Sequence, residues 1–369
     1  MRSSLITPEE PVELLLWLSA SRVGDTALNH FRYCKAAEAT ATGIAAQTRY
    51  LAVELTPSER SRSLSQNGKR TKSLMIHRHN QKSCDLCGQK KFQVLYLLDG
   101  FQIIRCQRCG LVSTNLGLNR TDLEAMYAPS YYQERWEYYF GNSVINNTVT
   151  EENTNIRDFR RGLSLIEQFK DRGKLLDVGC ALGIFLYLAK EQGWEVHGVD
   201  ISRYAASYAR EVLGFEVFAG NLEEAQFPEK SFDVITLWDV LEHFPNPSRQ
   251  LQEIRRLLKD DGVIFMNTPN EEGLLRLLAH IIFRLSGGKI TYPIRKLYHR
   301  FHLYYFTQRT LQALLEKNGF VLVRLDKSCI PIIKARGRPL ERLIVKVLSW
   351  PELLCHREFE LLAIARKRE

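Results

Sequence analysis

From residue 154 onward, short apolar runs alternate with segments in which apolar residues recur every three or four positions. The short runs predict buried strands, and the longer spacing predicts amphipathic helices. The predicted strands are 174–178, 195–199, 215–219, 232–237, 262–267, 320–325 and 359–365. The predicted helices are 155–170, 182–192, 203–213, 247–258, 310–318 and 339–348. Strands separated by helices indicate right-handed crossovers and a parallel sheet covered on both faces, with ligands at its carboxyl edge.

The first 153 residues lack this alternation. Residues 1–82 predict a poorly structured extension and linker, and Met75 near its end is an alternative translation start to Met1. Residues 83–113 predict a small module with two strands around an Asp-Gly turn, which is a strong hairpin signal. Residues 114–153 are rich in aromatic side chains and predict a helical bridge that packs on the main domain or roofs its cleft.

The small module contains four of the eight cysteines, in two Cys-x-x-Cys pairs separated by 18 residues. These are Cys84, Cys87, Cys106 and Cys109. Four thiolates at this spacing match a tetrahedral zinc site. The alternative is four reduced cysteines in a hairpin, but a unit of about 30 residues is too small to be stable by apolar burial alone. We therefore predict one structural zinc ion.

The formal charge of +9 is unevenly distributed. Residues 84–283 carry a net charge of −7, whereas residues 284–369 hold 18 basic and 7 acidic side chains, a net +11. This pattern argues against a uniformly basic nucleic-acid binder and favours a local contact with an anion. No apolar run reaches the roughly 18 residues of a membrane-spanning helix. Because a secretory signal pattern is also missing at the start, we expect a cytoplasmic protein.

The most specific motif is the turn in residues 175–183, Leu-Leu-Asp-Val-Gly-Cys-Ala-Leu-Gly. Gly179 and Gly183 let the backbone approach a ligand closely. The next strand leads to Asp200, where a carboxylate can accept hydrogen bonds from both ribose hydroxyls. The turn lacks the third glycine of a phosphate-binding fingerprint. Asp177 would repel a pyrophosphate but suits a ligand that carries an ammonium group.

With these residues the sequence resembles the class I S-adenosylmethionine-dependent methyltransferases over about residues 154–325. The matching motifs are 177–183, 199–201, 221–224, 232–235, 238–244 and 258–262, followed by a strand that ends in Thr-Pro-Asn at 268–270. The resemblance implies a Rossmann-like, seven-stranded α/β sheet with helices on both faces. A similar zinc module precedes this domain in a bacterial branch of the family. One departure is Ala181, where many members have glycine, and its methyl group is tolerated if the residue avoids positive φ.

The resemblance also implies which residues bind S-adenosylmethionine. At the methionine end these are Asp177, Gly179, Cys180, Gly183 and Trp238. At the nucleoside end Asp200 would hold the ribose, and Ile201, Asn221 and Leu222 would surround the adenine. The alternatives are core packing for the two apolar residues and a helix N-cap for the aspartate.

The acceptor must lose a proton if it is a hydroxyl or an acidic carbon, so the reaction needs a base with a pKa near neutrality. His243 follows the fourth strand of the domain and is the first candidate. His302 is the second, and would face it across the cleft. Asp239 and Glu242 would orient either imidazole or hold a divalent metal. The alternatives are capping of the next helix for His243 and packing among aromatic rings for His302.

An insert at 271–307 interrupts the α/β pattern. Leucines and isoleucines lie at helical spacing between 274 and 285, and Lys289, Arg295, Lys296 and Arg300 follow. This predicts an amphipathic helix with a basic end, which lies on an anionic membrane or roofs the acceptor cleft. The alternative is an ordinary helix packed on the domain.

These features predict a methyltransferase that O- or C-methylates a small-molecule, glycan or lipid-linked acceptor. A contact with the inner face of the membrane is an additional option. Two alternatives are an RNA methyltransferase that uses the ribbon to bind RNA and a non-catalytic zinc-ribbon binding module. The acidic net charge of 84–283 argues against RNA. The intact Asp177 and Asp200 argue against a module without activity.

Overall fold

The computed structural model describes residues 83–116, 118, 120–133, 144–145, 148–149, 154–329, 343, 347–348 and 351–369. All of them belong to one compact unit, Met75–Glu369. The predicted extension over 1–82 lies outside the described residues, as does most of the predicted helix over 339–348.

The strands and helices follow the predicted alternation, with ends that differ by a few residues. The strands are β1 Phe92–Leu98, β2 Phe101–Cys106, β3 Val112–Thr114, β4 Val144–Ile145, β5 Thr148–Val149, β6 Lys174–Val178, β7 Glu195–Asp200, β8 Glu216–Ala219, β9 Phe232–Trp238, β10 Leu258–Pro269, β11 Tyr304–Tyr305, β12 Phe320–Ser328 and β13 Glu360–Lys367. The α-helices are α1 Arg120–Met126, α2 Pro129–Gln133, α3 Thr154–Ile166, α4 Ile184–Glu191, α5 Arg203–Glu211, α6 Pro247–Leu257, α7 Leu274–Leu285, α8 Tyr292–Leu297 and α9 Gln308–Lys317. Two short 3₁₀ helices, Leu222–Ala225 and Leu241–His243, follow β8 and β9.

Seven strands form the main sheet in the order β12-β13-β10-β9-β6-β7-β8. Strands β8, β7, β6, β9 and β10 are parallel, as expected. The expectation of a wholly parallel sheet was wrong, because β13 pairs antiparallel with both β10 and β12. Parallel neighbours must be joined by a crossover connection, whereas antiparallel neighbours need none. The alternation of strands and helices along the sequence therefore does not determine the direction of the last strand.

Consecutive residues of the central strands are buried on opposite faces of this sheet. Leu176 and Ile235 belong to the apolar core on one face, and Leu175 and Val234 belong to the core on the other. Side chains alternate across a strand, so a strand covered on both faces needs apolar residues at every position. This explains the continuous apolar runs in the sequence.

A second sheet contains four strands in the order β1-β2-β3-β11. Strands β1 and β2 form the predicted hairpin around Asp99-Gly100. Strand β11 comes from the end of the insert, about 190 residues further along the chain, and pairs antiparallel with β3. The small N-terminal module and the insert therefore share one sheet.

The predicted aromatic bridge is described in part. It contains α1 and α2, and also the hairpin of β4 and β5, which the aromatic content did not indicate. The predicted bridge residues Trp136, Tyr138, Tyr139 and Phe140 lie outside the described residues.

Candidate active site

A cavity of about 750 Å³ opens at the carboxyl ends of β6, β7 and β9. Ligand sites in proteins of this kind typically enclose 300–1,000 Å³. Its walls include eight of the predicted cofactor residues, namely Asp177, Gly179, Cys180, Asp200, Ile201, Asn221, Leu222 and Trp238. They also include three of the four predicted catalytic residues, Asp239, His243 and His302. The fourth, Glu242, does not line the cavity, but its Oε1 lies 3.9 Å from Nε2 of His302.

The turn after β6 brings the backbone to the edge of this cavity. Gly179 has φ +78°, and a Cβ atom at this position would lie 2.5 Å from Cγ2 of Val240, so only glycine fits. Gly183 has φ +85° and forms the N-cap of α4. A Cβ atom on Gly183 would face Ala209 and Phe215 rather than the cavity. Gly183 therefore shapes the turn and does not line the cavity wall.

Ala181 in the same turn adopts φ +48°. We expected alanine to be tolerated here only if the residue avoids positive φ. The structure shows a positive φ at Ala181, so this expectation is not met. A left-handed backbone costs a residue with a Cβ atom roughly 1–2 kcal/mol. The backbone N–H of Ala181 donates a hydrogen bond of 2.8 Å to Oδ2 of Asp200, and this bond contributes to holding the strained conformation.

Asp200 ends β7 and links two turns. Its Oδ2 accepts the Ala181 N–H, and its Oδ1 accepts the N–H of Ser202 at 2.8 Å. Asp200 is not the helix N-cap, because Ser202 caps α5 by accepting from the N–H of Ala205. Burial raises the pKa of Asp200, and the two backbone hydrogen bonds lower it. Burial is the larger effect, so the pKa is about 6.

Asp177 lies at the other side of the same turn and is 2% exposed. Burial raises its pKa to about 8, although the hydroxyl of Thr236 donates a 2.7 Å hydrogen bond to its Oδ1. Within the described part of the chain, neither Asp177 nor Asp200 forms an ion pair. Two buried carboxyl groups without a counter-ion suit a ligand that carries positive charge, such as a sulfonium with an α-ammonium group. These residues thus fit S-adenosylmethionine.

The remaining cofactor candidates surround this pair. Leu222 is buried at the start of a 3₁₀ helix, directly after Asn221, whose N–H donates to the carboxylate of Glu224. Trp238 ends β9 among three phenyl rings, with centroids 4.6–5.2 Å away. Its indole Nε1 is buried and has no hydrogen-bond partner in the described structure. The indole therefore contributes an apolar wall and one available donor.

Aromatic side chains of the bridge lie over the cavity. Tyr127, Tyr131 and Tyr132 line it and contact one another edge to face, with centroids 5.1 Å apart. The hydroxyl of Ser202 donates to the carbonyl of Tyr127 at 2.8 Å, which attaches the bridge to the start of α5.

His243 ends the second 3₁₀ helix and faces the cavity. Its Nδ1 lies 2.7 Å from the carbonyl oxygen of Phe301. Because a carbonyl only accepts, Nδ1 carries the proton, and a neutral ring presents the lone pair of Nε2. Burial lowers the pKa of His243, while the Phe301 hydrogen bond and Asp239 act in the opposite direction. The capping alternative is wrong, because Asn246 caps α6.

The other catalytic candidates lie next to His243. The rings of His243 and His302 meet edge to face with centroids 4.7 Å apart. Glu242 is fully buried, accepts from the hydroxyl of Thr268 at 2.9 Å, and has its Oε1 3.9 Å from Nε2 of His302. Ligand atoms of Glu242, His243 and His302 lie within 4.8 Å of one another, close enough to approach a divalent ion. Asp239 adopts φ +52° at the end of β9 and is not part of this set.

Two residues of the cavity were missed by sequence reasoning. His299 contacts His302 at a tilted angle of 59°, with ring centroids 4.0 Å apart, and the repeated histidine of 299–302 was a usable signal. Arg276 is 2% exposed and pairs with Glu271, with 3.5 Å between Nε and Oε2. Its position in an amphipathic helix indicated a polar face, so nothing in the local pattern indicated a buried guanidinium.

Helix α7 of the insert has its apolar side largely exposed. Leu277, Ile281, Ile282 and Leu285 are 36%, 40%, 40% and 85% exposed. The buried residues of α7 are Arg276 and Ala279. The helix therefore packs through a narrow stripe and presents most of its large aliphatic side chains to solvent. The described structure contains no helix that combines the length and the hydropathy needed to cross a membrane.

The four thiols of the N-terminal module meet at one point, with all sulfurs within 4.8 Å of one another. The closest pairs, Cys84–Cys109 and Cys87–Cys106, are 3.5 Å apart. A tetrahedral zinc with bonds of about 2.3 Å would place its sulfurs about 3.8 Å apart, so the set fits zinc. Burial raises the pKa of Cys84 and raises that of Cys109 to about 11. For Cys106 burial acts in the same direction, but backbone N–H groups of the following residues lower the pKa to about 7.

The fold combines a mixed α/β sheet with a cavity at the carboxyl ends of its parallel strands. Residues 151–325 match the family model of a methyltransferase domain. This segment, slightly less than half of the chain, is similar to methyltransferase domains, and the predicted α/β fold class is confirmed.

Curated relatives match part of this segment. The ubiquinone biosynthesis O-methyltransferase of Pasteurella multocida is 37% identical over 113 residues, which are 26% of this chain and 46% of the relative. Its counterpart from Actinobacillus pleuropneumoniae serotype 7 is 33% identical over 140 residues, 35% of this chain and 57% of the relative. The chain thus spans about half the length of the curated relatives it matches. A solved S-adenosylmethionine-dependent methyltransferase from Archaeoglobus fulgidus aligns with 64% of this chain and 100% of its own, at 22% identity and a TM-score of 0.43.

Proposed function

We propose that the protein transfers the methyl group of S-adenosylmethionine to a hydroxyl of a small-molecule acceptor. The observation that carries this proposal is the division of one cavity into two chemically different ends. Asp177 and Asp200 offer buried carboxyl groups to a cationic cofactor at one end. His243 offers the lone pair of Nε2 at the other.

The cofactor supplies an electrophilic methyl group on a positively charged sulfur. Asp200 would bind the ribose hydroxyls, since each of its oxygens retains a lone pair beyond the backbone hydrogen bond that it accepts. Asp177 would bind the ammonium group, and its protonated form would lose a proton as the positive charge arrives. These contacts would hold the cofactor in one position, so that its methyl group could face an acceptor oxygen.

At the acceptor end, His243 would remove the hydroxyl proton as the carbon–oxygen bond forms and the carbon–sulfur bond breaks. The sulfur would be released as a neutral thioether, and His243 would hold the proton on Nε2. The Phe301 carbonyl fixes the reactive tautomer. Glu242 and His302 lie beside the ring and would stabilise the imidazolium. Aromatic and histidine rings, including Tyr127 and His299, favour a flat acceptor such as a phenol.

The names of the curated relatives support this choice, since they are O-methyltransferases of ubiquinone biosynthesis. We therefore favour a phenol-like acceptor over a glycan, and O-methylation over C-methylation. An RNA acceptor is not favoured, because the segment that contains the ribbon and the cofactor cavity has a net charge of −7. We also propose that the four cysteines bind one structural zinc ion.

We further propose that α7 touches an anionic membrane surface. Its exposed side combines Ile281, Ile282 and Leu285 with the nearby cations Arg284 and Lys289. Aliphatic side chains next to basic groups are typical of helices that lie in the headgroup region. This position would bring a lipid-linked phenol close to the cavity.

Transfer of a tritiated methyl group into a bacterial lipid and metabolite extract tests the proposed function. We expect label in a phenolic fraction that is stable to alkali, as an aryl ether is. A His243→Ala variant and heat-treated protein serve as controls. Label in RNA, or no label in any fraction although the protein binds the cofactor product S-adenosylhomocysteine, would contradict the proposal.

A further inference from the structure

The segment that forms the acceptor wall is also a strand of the ribbon sheet. In the pairing of β11 with β3, Tyr304 lies opposite Ser113 and Tyr305 lies opposite Val112. The N–H of Thr114 donates a 2.9 Å hydrogen bond to the carbonyl of Leu303. His299, Phe301 and His302 line the cavity immediately before this strand.

The same segment is bonded on its other side to the 3₁₀ helix that carries His243. The N–H of Leu303 donates to the carbonyl of Glu242 at 2.8 Å. The carbonyl of Phe301 accepts from Nδ1 of His243 at 2.7 Å. Leu303 therefore connects the ribbon sheet, through its carbonyl, to the catalytic segment, through its N–H.

The ribbon is itself attached to the methyltransferase core. The hydroxyl of Ser248 on α6 donates to the Asp85 carboxylate at 2.7 Å, and Lys317 of α9 donates to the Asp85 carbonyl. Cys84 and Cys106 are buried in the same apolar cluster as core strand residues of β9 and β10. Because the ribbon is packed against the domain, it can hold the strand that pairs with it in a fixed position relative to the cavity.

The cofactor end has different supports. Asp177 and Asp200 are held by β6, β7 and β9 and by the turns that follow them. None of the hydrogen bonds described above for these two carboxylates involves the ribbon sheet or β11. The cofactor end of the cavity is therefore supported by the seven-stranded sheet, and the acceptor end is supported in part by the four-stranded sheet.

We propose that the metal-bound ribbon is a positioning element of the acceptor end, acting through Thr114 and Leu303 on His302 and on the tautomer of His243. This inference rests on the proposed function, because that function identifies this end of the cavity as the site of the acceptor. It makes the four cysteines necessary for acceptor geometry and not for cofactor binding. Loss of the metal should loosen β11, free the Phe301 carbonyl and leave the pair of aspartates in place.

The test compares the full-length protein with Thr114→Pro, Thr114→Val and Cys106→Ser. Proline removes the N–H that bonds Leu303 but tolerates an extended backbone. Valine keeps the N–H and the shape of threonine and is the matched control. Hydrogen exchange of peptides covering 299–305, the ring ¹⁵N shifts of His243 and the affinity for S-adenosylhomocysteine are measured for each.

We expect exchange over 299–305 to accelerate at least tenfold in Thr114→Pro and Cys106→Ser and to stay unchanged in Thr114→Val. The His243 ring should lose the shift pattern of a single Nδ1–H tautomer in the first two variants. The dissociation constant of S-adenosylhomocysteine should stay within threefold of wild type in all of them. A fully structural ribbon would instead change all three measurements together.

Unchanged exchange and unchanged ring shifts after metal loss would overturn the inference. The inference would also be overturned if the variants lost affinity for S-adenosylhomocysteine to the same extent as they lost protection of residues 299–305 from hydrogen exchange. If Cys106→Ser does not fold, chelation and zinc reloading of wild-type protein replace it, with the same three readouts. Absence of S-adenosylhomocysteine binding by the wild type would contradict the proposed function and not the mechanical link, which the exchange data test independently.

Discussion

Ala181 adopts a left-handed backbone conformation in the turn that leads from β6 to α4. We expect Ala181→Gly to stabilise the protein by about 0.5–1 kcal/mol, because relief of the strain exceeds the added flexibility of the unfolded chain. The measurement is urea denaturation. Ala189→Gly, in the middle of α4, is the control and should destabilise by about 1 kcal/mol or more. If Ala181→Gly and Ala189→Gly destabilised the protein equally, the claim that the backbone of Ala181 is strained would be wrong.

Asp200 has both oxygens on backbone N–H groups and lies in the cavity wall. We expect Asp200→Ala to weaken S-adenosylmethionine binding by about 1.5–3 kcal/mol, as for the loss of hydrogen bonds to a charged group. Calorimetry measures this change. Glu211→Ala, an exposed carboxylate at the end of α5, is the control and should bind normally. Unchanged affinity of the Asp200 variant would refute its role with the ribose.

His243 should set the acid limb of the pH–rate profile. Burial lowers its pKa below the ordinary 6.5, so the ring is neutral at pH 7 and gains a proton only as the pH falls below 6.5. We expect turnover to fall on the acid side below pH 6.5, and the limb to vanish in His243→Ala. That variant should lose roughly 10²–10⁴-fold in turnover while its cofactor affinity remains.

His197 on β7 is the matched control for His243, because its Nδ1 lies 3.1 Å from the exposed carboxylate of Glu216 and the residue does not line the cavity. His197→Ala should keep both the rate and the acid limb. A less than threefold loss in His243→Ala and in His302→Ala would mean that positioning alone supplies the rate.

At the scale of elements, the ribbon is expected to hold one zinc ion per chain. Elemental analysis of protein produced with zinc present should give a ratio of one, and Cys106→Ser should abolish it because three thiolates leave the tetrahedron incomplete. Cys180→Ala is the control, since Cys180 lies in the cofactor turn and not among the four sulfurs. A zinc-free wild type would refute the site.

At the scale of the whole molecule, the exposed side of α7 and the basic C-terminal quarter should act together. We expect sedimentation with vesicles of acidic phospholipid, and weaker binding as salt rises. Leu285→Asp should reduce binding about tenfold or more, because it removes an aliphatic side chain from the interface and adds a repelled charge. Val212→Asp, at an exposed apolar residue directly after α5, is the control.

Binding of Leu285→Asp at the wild-type level would contradict a role for α7. Binding that is insensitive to salt would contradict the contribution of the basic residues.

Much of the fold was predictable because its signals are local. Strand β6 and its turn lie within ten residues, and Asp200 follows one helix later, so periodicity and spacing predicted that both lie at the carboxyl edge of the sheet. The cysteine pairs needed only the hairpin between them. Other features depended on contacts between distant segments. The direction of β13, the left-handed Ala181 and the burial of Arg276 follow from neighbours that are not close in sequence.

The sequence by itself determined the alternation of strands and helices, the chemistry of the turn at Gly179 and the spacing of the four cysteines. These depend on hydrophobic period, backbone freedom and ligand type, which are properties of short segments. Only the tertiary structure decided that β11 joins the ribbon sheet and that Phe301 fixes the tautomer of His243. Strand pairing and side-chain hydrogen bonds over large separations depend on the packing of the whole domain, so the acceptor end of the cavity could not be assembled from local patterns.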